Sequence, residues 1–274
     1  YSCGNYGDPA FAKDCLEIYS YVRECNPTVR LGIHTNGGMR NPAWWAKLAQ
    51  HNIDVAFAVD GFKGKHELYR KNTKFDKVIE NLKAFCDAGG IARVDSLVFE
   101  HNEHEVDELE SYLLSLGVQE VNFVSTTRFY EMKEFEVHDN NGNVEYTIAP
   151  AQTERFKKTP NNSLNALVDP AVRNAAVESA IIEPKCVTEK GVYIDPYGNI
   201  FPCCWIGGEY IEQPVEEKLP IHYLRNLSVD NTKTILKTVG VPNCHDAVLN
   251  TNENLFKKMP DFWQGKNKCL TCVK

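Results

Sequence analysis

Asp54-Val-Ala-Phe-Ala-Val-Asp60, closed by Gly61, is a short apolar run that ends in an acidic turn. A run of this length, rich in β-branched and aromatic residues and bounded by a turn signal, fits a strand buried inside a sheet. Three more runs of the same kind flank it, at residues 29–35, 92–100 and 120–124, and a remnant of a fifth stands at residues 1–4. Between them lie amphipathic stretches with helical spacing, at residues 11–24, 42–51, 75–88 and 103–116. The last two stop at Gly89-Gly90 and Gly117, where a helix needs a residue that tolerates a left-handed turn. Strand and helix alternate, which is the pattern of βα units around a parallel sheet. The expected fold class is therefore α/β.

Each strand end runs into a polar, acidic or glycine-rich loop. Gly4-Asn-Tyr-Gly-Asp-Pro9 follows the remnant, Thr35-Asn36-Gly37-Gly38 the second strand, Asp60-Gly61 the third and His101-Asn102-Glu103 the fourth. One such loop is an ordinary turn. Four in register at the carboxyl ends of parallel strands mark the place where α/β sheets bind ligands.

The carboxyl-terminal third has a different character. Cys186 precedes a hairpin pattern, Gly191-Val-Tyr-Ile-Asp-Pro-Tyr-Gly-Asn-Ile-Phe-Pro202, and Cys203 follows its second strand. Cys269-Leu-Thr-Cys272 adds a pair whose two-residue spacing lets both sulfurs face one centre. Four thiolates suit a structural zinc or a 4Fe-4S cluster, and spacing does not separate the two. Cys204 adjoins Cys203, but neighbours on an extended chain point to opposite sides, so one of the pair is expected to ligate. Cys15, Cys25 and Cys86 fall on expected helices and read as core or surface thiols. Cys244-His245-Asp246 reads as structural, and Trp44-Trp45 as packing. Between the halves, Asn140-Asn-Gly-Asn143 joins residues 133–138 to residues 144–148 as a hairpin. Pro150, Pro160 and Pro170 then mark a linker ahead of a short helix at residues 171–180.

Composition narrows the function. The 274 residues are 43% hydrophobic, enough for a substantial core, with a formal net charge of −7 and a pI near 5.7. That balance argues against nucleic acid or an anionic membrane as partner. No apolar run approaches the ~20 residues of a membrane span and no signal peptide is legible, so a cytoplasmic location is expected. The ten cysteines fit metal binding better than a disulfide framework.

The order of the loops, with Arg70 after Asp60 and Phe-Glu-His-Asn-Glu-His at residues 99–104, resembles the second to fifth βα units of the radical S-adenosylmethionine (radical SAM) enzymes. Cys186, eleven residues, Gly198, four residues and Cys203, with the closing Cys-x2-Cys, resembles the twitch form of their SPASM domain. The resemblance implies a partial (βα)6 radical SAM barrel without its first βα unit over residues 1–125. It implies a linker or insert with a hairpin over residues 126–180, and a small α+β twitch/SPASM iron-sulfur domain over residues 181–274.

It also implies roles. Gly7 and Asp8 fall in the glycine-rich motif that meets the methionine amino group of S-adenosylmethionine. Asn36 and Asp60 stand near its ribose and methionine moiety. Arg70 is placed to meet the methionine carboxylate, for which a planar fork is suited. Asn102 is a further cofactor candidate. From the residues alone, Arg70 reads equally as a solvated charge and Asn102 as a helix N-cap. Cys186, Cys203, Cys269 and Cys272 would hold an auxiliary 4Fe-4S cluster. With all four ligands protein-derived, that cluster is suited to electron transfer.

The family's Cys-x3-Cys-x2-Cys motif, which binds the catalytic 4Fe-4S cluster, does not occur in these residues and is expected upstream of Tyr1. The implied activity is that of an oxidoreductase or modifying enzyme. It cleaves the cofactor, and a 5′-deoxyadenosyl radical abstracts hydrogen from a small-molecule or peptide substrate. A flavodoxin or ferredoxin would supply the electron. This chain alone is expected to be inactive, and no catalytic side chain is assigned. The competing reading is a non-catalytic zinc- or cluster-binding module.

Overall fold

The computed structural model describes residues 2, 7–126, 129, 134–157, 169–179, 181, 193–194 and 200–201. The chain divides into two compact units, Tyr1–Pro160 and Asn161–Lys274.

Four parallel strands form the sheet of the first unit in the order β1 (Leu31–Thr35), β2 (Ile53–Ala58), β3 (Ile91–Val98) and β4 (Glu120–Ser125). Order in space follows order in sequence, as right-handed βα crossovers produce. The remnant ahead of them is described at Ser2 alone. Its N–H donates to the Gly32 carbonyl at 2.8 Å and its carbonyl accepts from His34 N–H at 2.9 Å, a parallel bridge to β1.

The connecting helices are α1 (Cys15–Cys25), α2 (Pro42–Ala49), the short α3 (His66–Tyr69), α4 (Phe75–Asp87) and α5 (Val106–Ser115). α2 starts where it does because the Asn41 side chain accepts from Trp44 N–H at 3.0 Å and Pro42 fills the first turn. Phe75, Val78, Leu82 and Phe85 line one face of α4, and Val106, Leu109 and Leu113 one face of α5. These stripes cover Ile33, Val55, Phe57 and Val94 of the sheet. Trp45 sits at the centre, fully buried, its ring centroid 5.0 Å from Phe57 and 6.4 Å from Phe85. Each such side chain contributes roughly 2–3 kcal/mol through the area it withdraws from water. Trp44-Trp45 is thus a packing element.

Two helix starts differ from the sequence expectation. Residues 11–24 are not one helix: Pro9–Phe11 forms a 3-10 turn capped by Asp8, Ala12 is extended, and α1 begins at Cys15. The helix expected from residue 103 begins at Val106, because Asn102 and Glu103 turn their side chains into the protein. Cys15 and Cys86 are held by burial with pKa values pushed up to about 11, which makes them inert thiols, and Cys25 is exposed.

The Asn-Gly hairpin forms β5 (Phe135–His138) and β6 (Val144–Ile148). The Asp139 carboxylate accepts from the N–H groups of Asn141 at 2.8 Å and Asn143 at 2.9 Å, which shapes the turn and holds that carboxyl below its usual range. The hairpin folds back onto the first unit. Phe99 bridges Pro150, Tyr146 Oη donates to the Leu68 carbonyl at 2.7 Å, and Ile148 packs on Phe99 and Phe129. It therefore covers the carboxyl end of β3 on the face opposite α4 and α5.

In the second unit the described residues are α6 (Pro170–Ser179), where the helix at residues 171–180 was expected, Ile181, and the antiparallel pair β7 (Tyr193–Ile194) and β8 (Ile200–Phe201). Tyr193 and Phe201 face each other at 6.3 Å within the expected hairpin. No described helix is long and apolar enough to cross a membrane.

Candidate functional site

The loops singled out in the sequence meet at the carboxyl ends of the strands, where they form two clusters. Asp8 organises the first. Its carboxylate accepts from Thr35 Oγ1 at 2.8 and 3.0 Å, Asn36 N–H at 2.7 Å and Ala10 N–H at 3.0 Å. It thereby fastens the first loop to the end of β1. Asn36 accepts from Gly38 N–H at 2.9 Å and closes the next turn. Gly7 has a φ of +129°, a conformation that favours glycine, and open space where a side chain would stand.

Asp60 organises the second cluster from a fully buried position. Its Oδ2 accepts from Arg70 Nε at 2.6 Å and its Oδ1 from Leu97 N–H at 2.7 Å. The Asp60 N–H donates to His66 Nδ1 at 3.1 Å, so the neutral ring carries its proton on Nε2. Nε2 then donates to Thr73 Oγ1 at 2.9 Å, and that hydroxyl donates to the Arg70 carbonyl at 2.9 Å. Burial pushes the His66 pKa below the ordinary imidazole value, against the opposing pull of Asp60. The imidazole is a neutral link that fixes the backbone on both sides of the ion pair.

Arg70 stands at the edge of this cluster. Its side chain is 24% exposed, its Nε is taken by Asp60, and neither Nη bonds to a described residue. Tyr69 supports the guanidinium, with the ring centroid 5.5 Å from Cζ. A guanidinium held through Nε presents its remaining fork outward, a geometry suited to a carboxylate.

Asn102 is buried and committed to the fold: Oδ1 accepts from Phe99 N–H at 2.7 Å, and Nδ2 donates to the Asp60 carbonyl at 3.1 Å and the Leu97 carbonyl at 2.9 Å. It positions Asp60 and has no donor left over. Glu105 extends the same bracing, accepting from Phe62 N–H at 2.8 Å and pairing with Lys65 at 2.8 Å. Burial opposes ionisation of Glu103, yet the N–H groups of Thr153 and Gln152, each at 2.8 Å, outweigh it and hold the carboxyl below its usual range.

Sequence reasoning passed over His66, and it placed His101 in a candidate loop without giving it a role. His101 stacks parallel to Phe99 at 5.2 Å, burial lowers its pKa, and its buried Nε2 meets no hydrogen-bond partner among the described residues. The only signal for either was a histidine beside an Asp-Gly or Asn-Glu loop. Gly7, Asp8 and Asn36 come together, as do Asp60, Arg70 and Asn102. Cys186, Cys203, Cys269 and Cys272 lie outside the described residues, as do Cys204, Cys244 and His245. Among the described residues no three His, Cys, Asp or Glu side chains gather as a metal site.

No protein-family model and no curated protein matches this chain. Several solved structures are similar to this chain at low sequence identity. SuiB of Streptococcus suis bound to S-adenosylmethionine is similar over 97% of this chain and 58% of its own, at 12% identity and a TM-score of 0.48. SuiB bound to the precursor peptide SuiA is similar over 97% and 57%, at 12% identity and a TM-score of 0.49. The protein anSMEcpe with bound S-adenosylmethionine is similar over 73% of this chain and 56% of its own, at 14% identity and a TM-score of 0.45. This chain thus spans 58% of the length of the first of these structures.

Proposed function

We propose that the chain is the cofactor-binding and auxiliary-cluster portion of a radical SAM oxidoreductase or modifying enzyme. The observation that carries this reading is the pairing of buried Asp60 with Arg70 at the carboxyl end of β2, with neither Nη of the guanidinium bonded to a described residue. The sequence resemblance reaches the same two residues independently. S-adenosylmethionine, when bound beside a reduced 4Fe-4S cluster, supplies a 5′-deoxyadenosyl radical that abstracts hydrogen from a small-molecule or peptide substrate.

The residues present fit the methionine end of that cofactor. Arg70 binds its carboxylate through the two Nη groups, while Asp60 fixes the guanidinium plane and offsets its charge. Residues 4–9 are the proposed source of the backbone carbonyls that meet the ammonium, and within them Asp8 is fastened to the end of β1. Asn36 lies beside the ribose and methionine. Asn102, His66 and Glu105 act behind these groups and hold the loops in register.

Cys186, Cys203, Cys269 and Cys272 are the proposed ligands of an auxiliary 4Fe-4S cluster, with a flavodoxin or ferredoxin as electron donor. The same four cysteines support the second reading, a zinc- or cluster-binding module without catalysis.

Equilibrium dialysis of the anaerobically purified chain against S-adenosylmethionine tests the first reading. Arg70→Lys keeps a cation beside Asp60 but removes the fork, and it is expected to weaken binding at least tenfold while cooperative unfolding persists. No saturable binding by the parent chain, or equal affinity in Arg70→Lys, would overturn it. Iron with acid-labile sulfide, reduced in Cys269→Ala, is the expected metal content. Stoichiometric zinc would favour the module, and unchanged metal in Cys269→Ala would overturn the ligand set.

A further inference from the structure

Arg70 leaves a helix too short to hold it. α3 has four residues, far below the ~12–15 at which a helix by itself becomes even marginal in water, and Arg70 closes it with φ −100° and ψ 61°, neither helical nor extended. Tertiary partners therefore decide the direction in which this side chain sets out. One set lies within the Asp60 cluster, where Asp60 takes Nε and the Arg70 carbonyl accepts from Thr73 N–H and Thr73 Oγ1, each at 2.9 Å. Another comes from the hairpin β5–β6, and it falls on the residues around Arg70.

Two residues before Arg70, the Leu68 carbonyl accepts from Tyr146 Oη at 2.7 Å. One residue after it, Lys71 Nζ donates to the His138 carbonyl of β5 at 2.9 Å and pairs with Glu145 of β6, so it holds both strands of the hairpin. Between these ties the Tyr69 ring lies 4.7 Å from Phe99, in a cluster with Val137, Tyr146 and Ile148, and also supports the Arg70 guanidinium. Leu68, Tyr69 and Lys71 are thus fastened to the hairpin, while Arg70 among them is fastened to Asp60.

We propose that Tyr146 and Lys71 are positioning residues for Arg70: through them the hairpin sets the plane of the guanidinium that receives the cofactor carboxylate. The inference rests on the proposed function for the identity of that carboxylate. Dependence runs both ways, because a two-stranded hairpin is itself marginal in water. The hairpin and the loop at residues 68–71 hold each other, through one small apolar cluster and the partly exposed Lys71–Glu145 pair. A unit tied in this manner opens without unfolding the rest of the protein. Once the hairpin is released, Asp60 still holds Nε, but the guanidinium turns about that bond and the planar two-point contact with a carboxylate is lost. Bound cofactor favours the docked hairpin by the same factor by which docking strengthens binding.

The test follows the Arg70 Nε–H proton in the full chain carrying 15N-labelled arginine, with the signal assigned by its loss in Arg70→Lys. Tyr146→Phe keeps the ring and removes the hydroxyl, and Lys71→Met keeps the stem and removes the ammonium. Each is expected to speed exchange of that proton with water about fivefold, the worth of one hydrogen bond, and to weaken S-adenosylmethionine binding in dialysis by a similar factor. Arg23→Lys controls for lost stability alone, since Arg23 clamps the Pro27, Val29 and His51 carbonyls at the amino ends of β1 and β2. Its exchange and affinity are expected to stay within about twofold of the parent. Exchange near the parent rate in Tyr146→Phe and Lys71→Met, or equal quickening in Arg23→Lys, would overturn the proposal; where one variant fails to fold, the other decides. Faster exchange in variants of a chain that binds no cofactor refutes only the proposed function. Cofactor binding by the parent that both variants leave unchanged refutes only the positioning role.

Discussion

Replacing Arg70 with glutamine removes the guanidinium from a carboxylate that has no access to water. Asp60 is fully buried, its Oδ2 accepts from Arg70 at 2.6 Å, and its Oδ1 keeps the bond from Leu97 N–H. Breaking a buried pair by removing one partner costs about 3–5 kcal/mol, because the remaining charge is left uncompensated. Arg70 is 24% exposed and water reaches the vacated end, so the low end applies, about 3 kcal/mol. Asp60→Asn leaves the charge on the partly exposed arginine instead, where solvent screens it, and is expected to cost about 1–2 kcal/mol. The double variant Asp60→Asn/Arg70→Gln buries no charge. Its loss should fall short of the sum of the singles by roughly 1.5 kcal/mol or more, since contacting residues in one network couple. Urea unfolding followed by tryptophan fluorescence reads this through Trp45 at the centre of the core. A loss below about 1 kcal/mol for Arg70→Gln, or singles that add within about 0.5 kcal/mol, would refute the argument that this pair organises the carboxyl end of the sheet.

Gly37→Ala tests the loop after β1. With φ at +69° and a Cβ that would stand 2.9 Å from Phe57 Cδ1 and 3.0 Å from Val78 Cγ1, the expected cost is about 2–4 kcal/mol in urea unfolding. Gly142→Ala, with φ at +85° in open space, is expected to lose only about 1 kcal/mol, and equal losses would disprove the packing argument. The pH dependence of stability tests His66, whose folded pKa lies below the ordinary value because it is buried. The unfolded chain takes up a proton near pH ~6.5 that the folded chain refuses. Stability is therefore full above that pH and falls below it, by up to about 1.4 kcal/mol per pH unit, until the folded pKa is reached. His66→Gln should flatten the urea midpoint between about pH 7.5 and 5.5 relative to the parent, and parallel slopes would show that the imidazole is not held neutral.

How far each feature was legible in the sequence depends on how local its cause is. The four β strands and the helices α2 and α4 lie within a few residues of their expected positions, because their apolar periodicity and their stops are local properties. The hairpin β5–β6 was legible in Asn-Asn-Gly-Asn for the same reason. The helix starts at residues 11 and 103 were misplaced by side chains with distant partners: Asp8 reaches 27 residues ahead to Thr35, and Asn102 reaches 42 residues back to Asp60. The short helix at His66–Tyr69 carried no periodic signal at all.

The candidate site divides along the same line. Turn chemistry marked Asp8, Asn36, Asp60 and Asn102 as loop residues at strand ends, and the resemblance singled out Arg70. Which of these face a ligand was not written in the order of residues. Asn102 and Arg70 looked alike as polar loop residues, yet tertiary structure spends every side-chain donor of the first on backbone, while neither Nη of the second bonds to a described residue. The tie between the hairpin and the Arg70 loop was hidden more deeply, because Tyr146 meets Leu68 across 78 positions. By itself the sequence determined the alternation of strand and helix and the placing of polar loops at the strand ends, since periodicity and turn chemistry act over a few residues. Only tertiary structure decided which of those polar atoms find partners, because a hydrogen bond between residues 27 or 42 positions apart exists only after parallel register has brought their strands together.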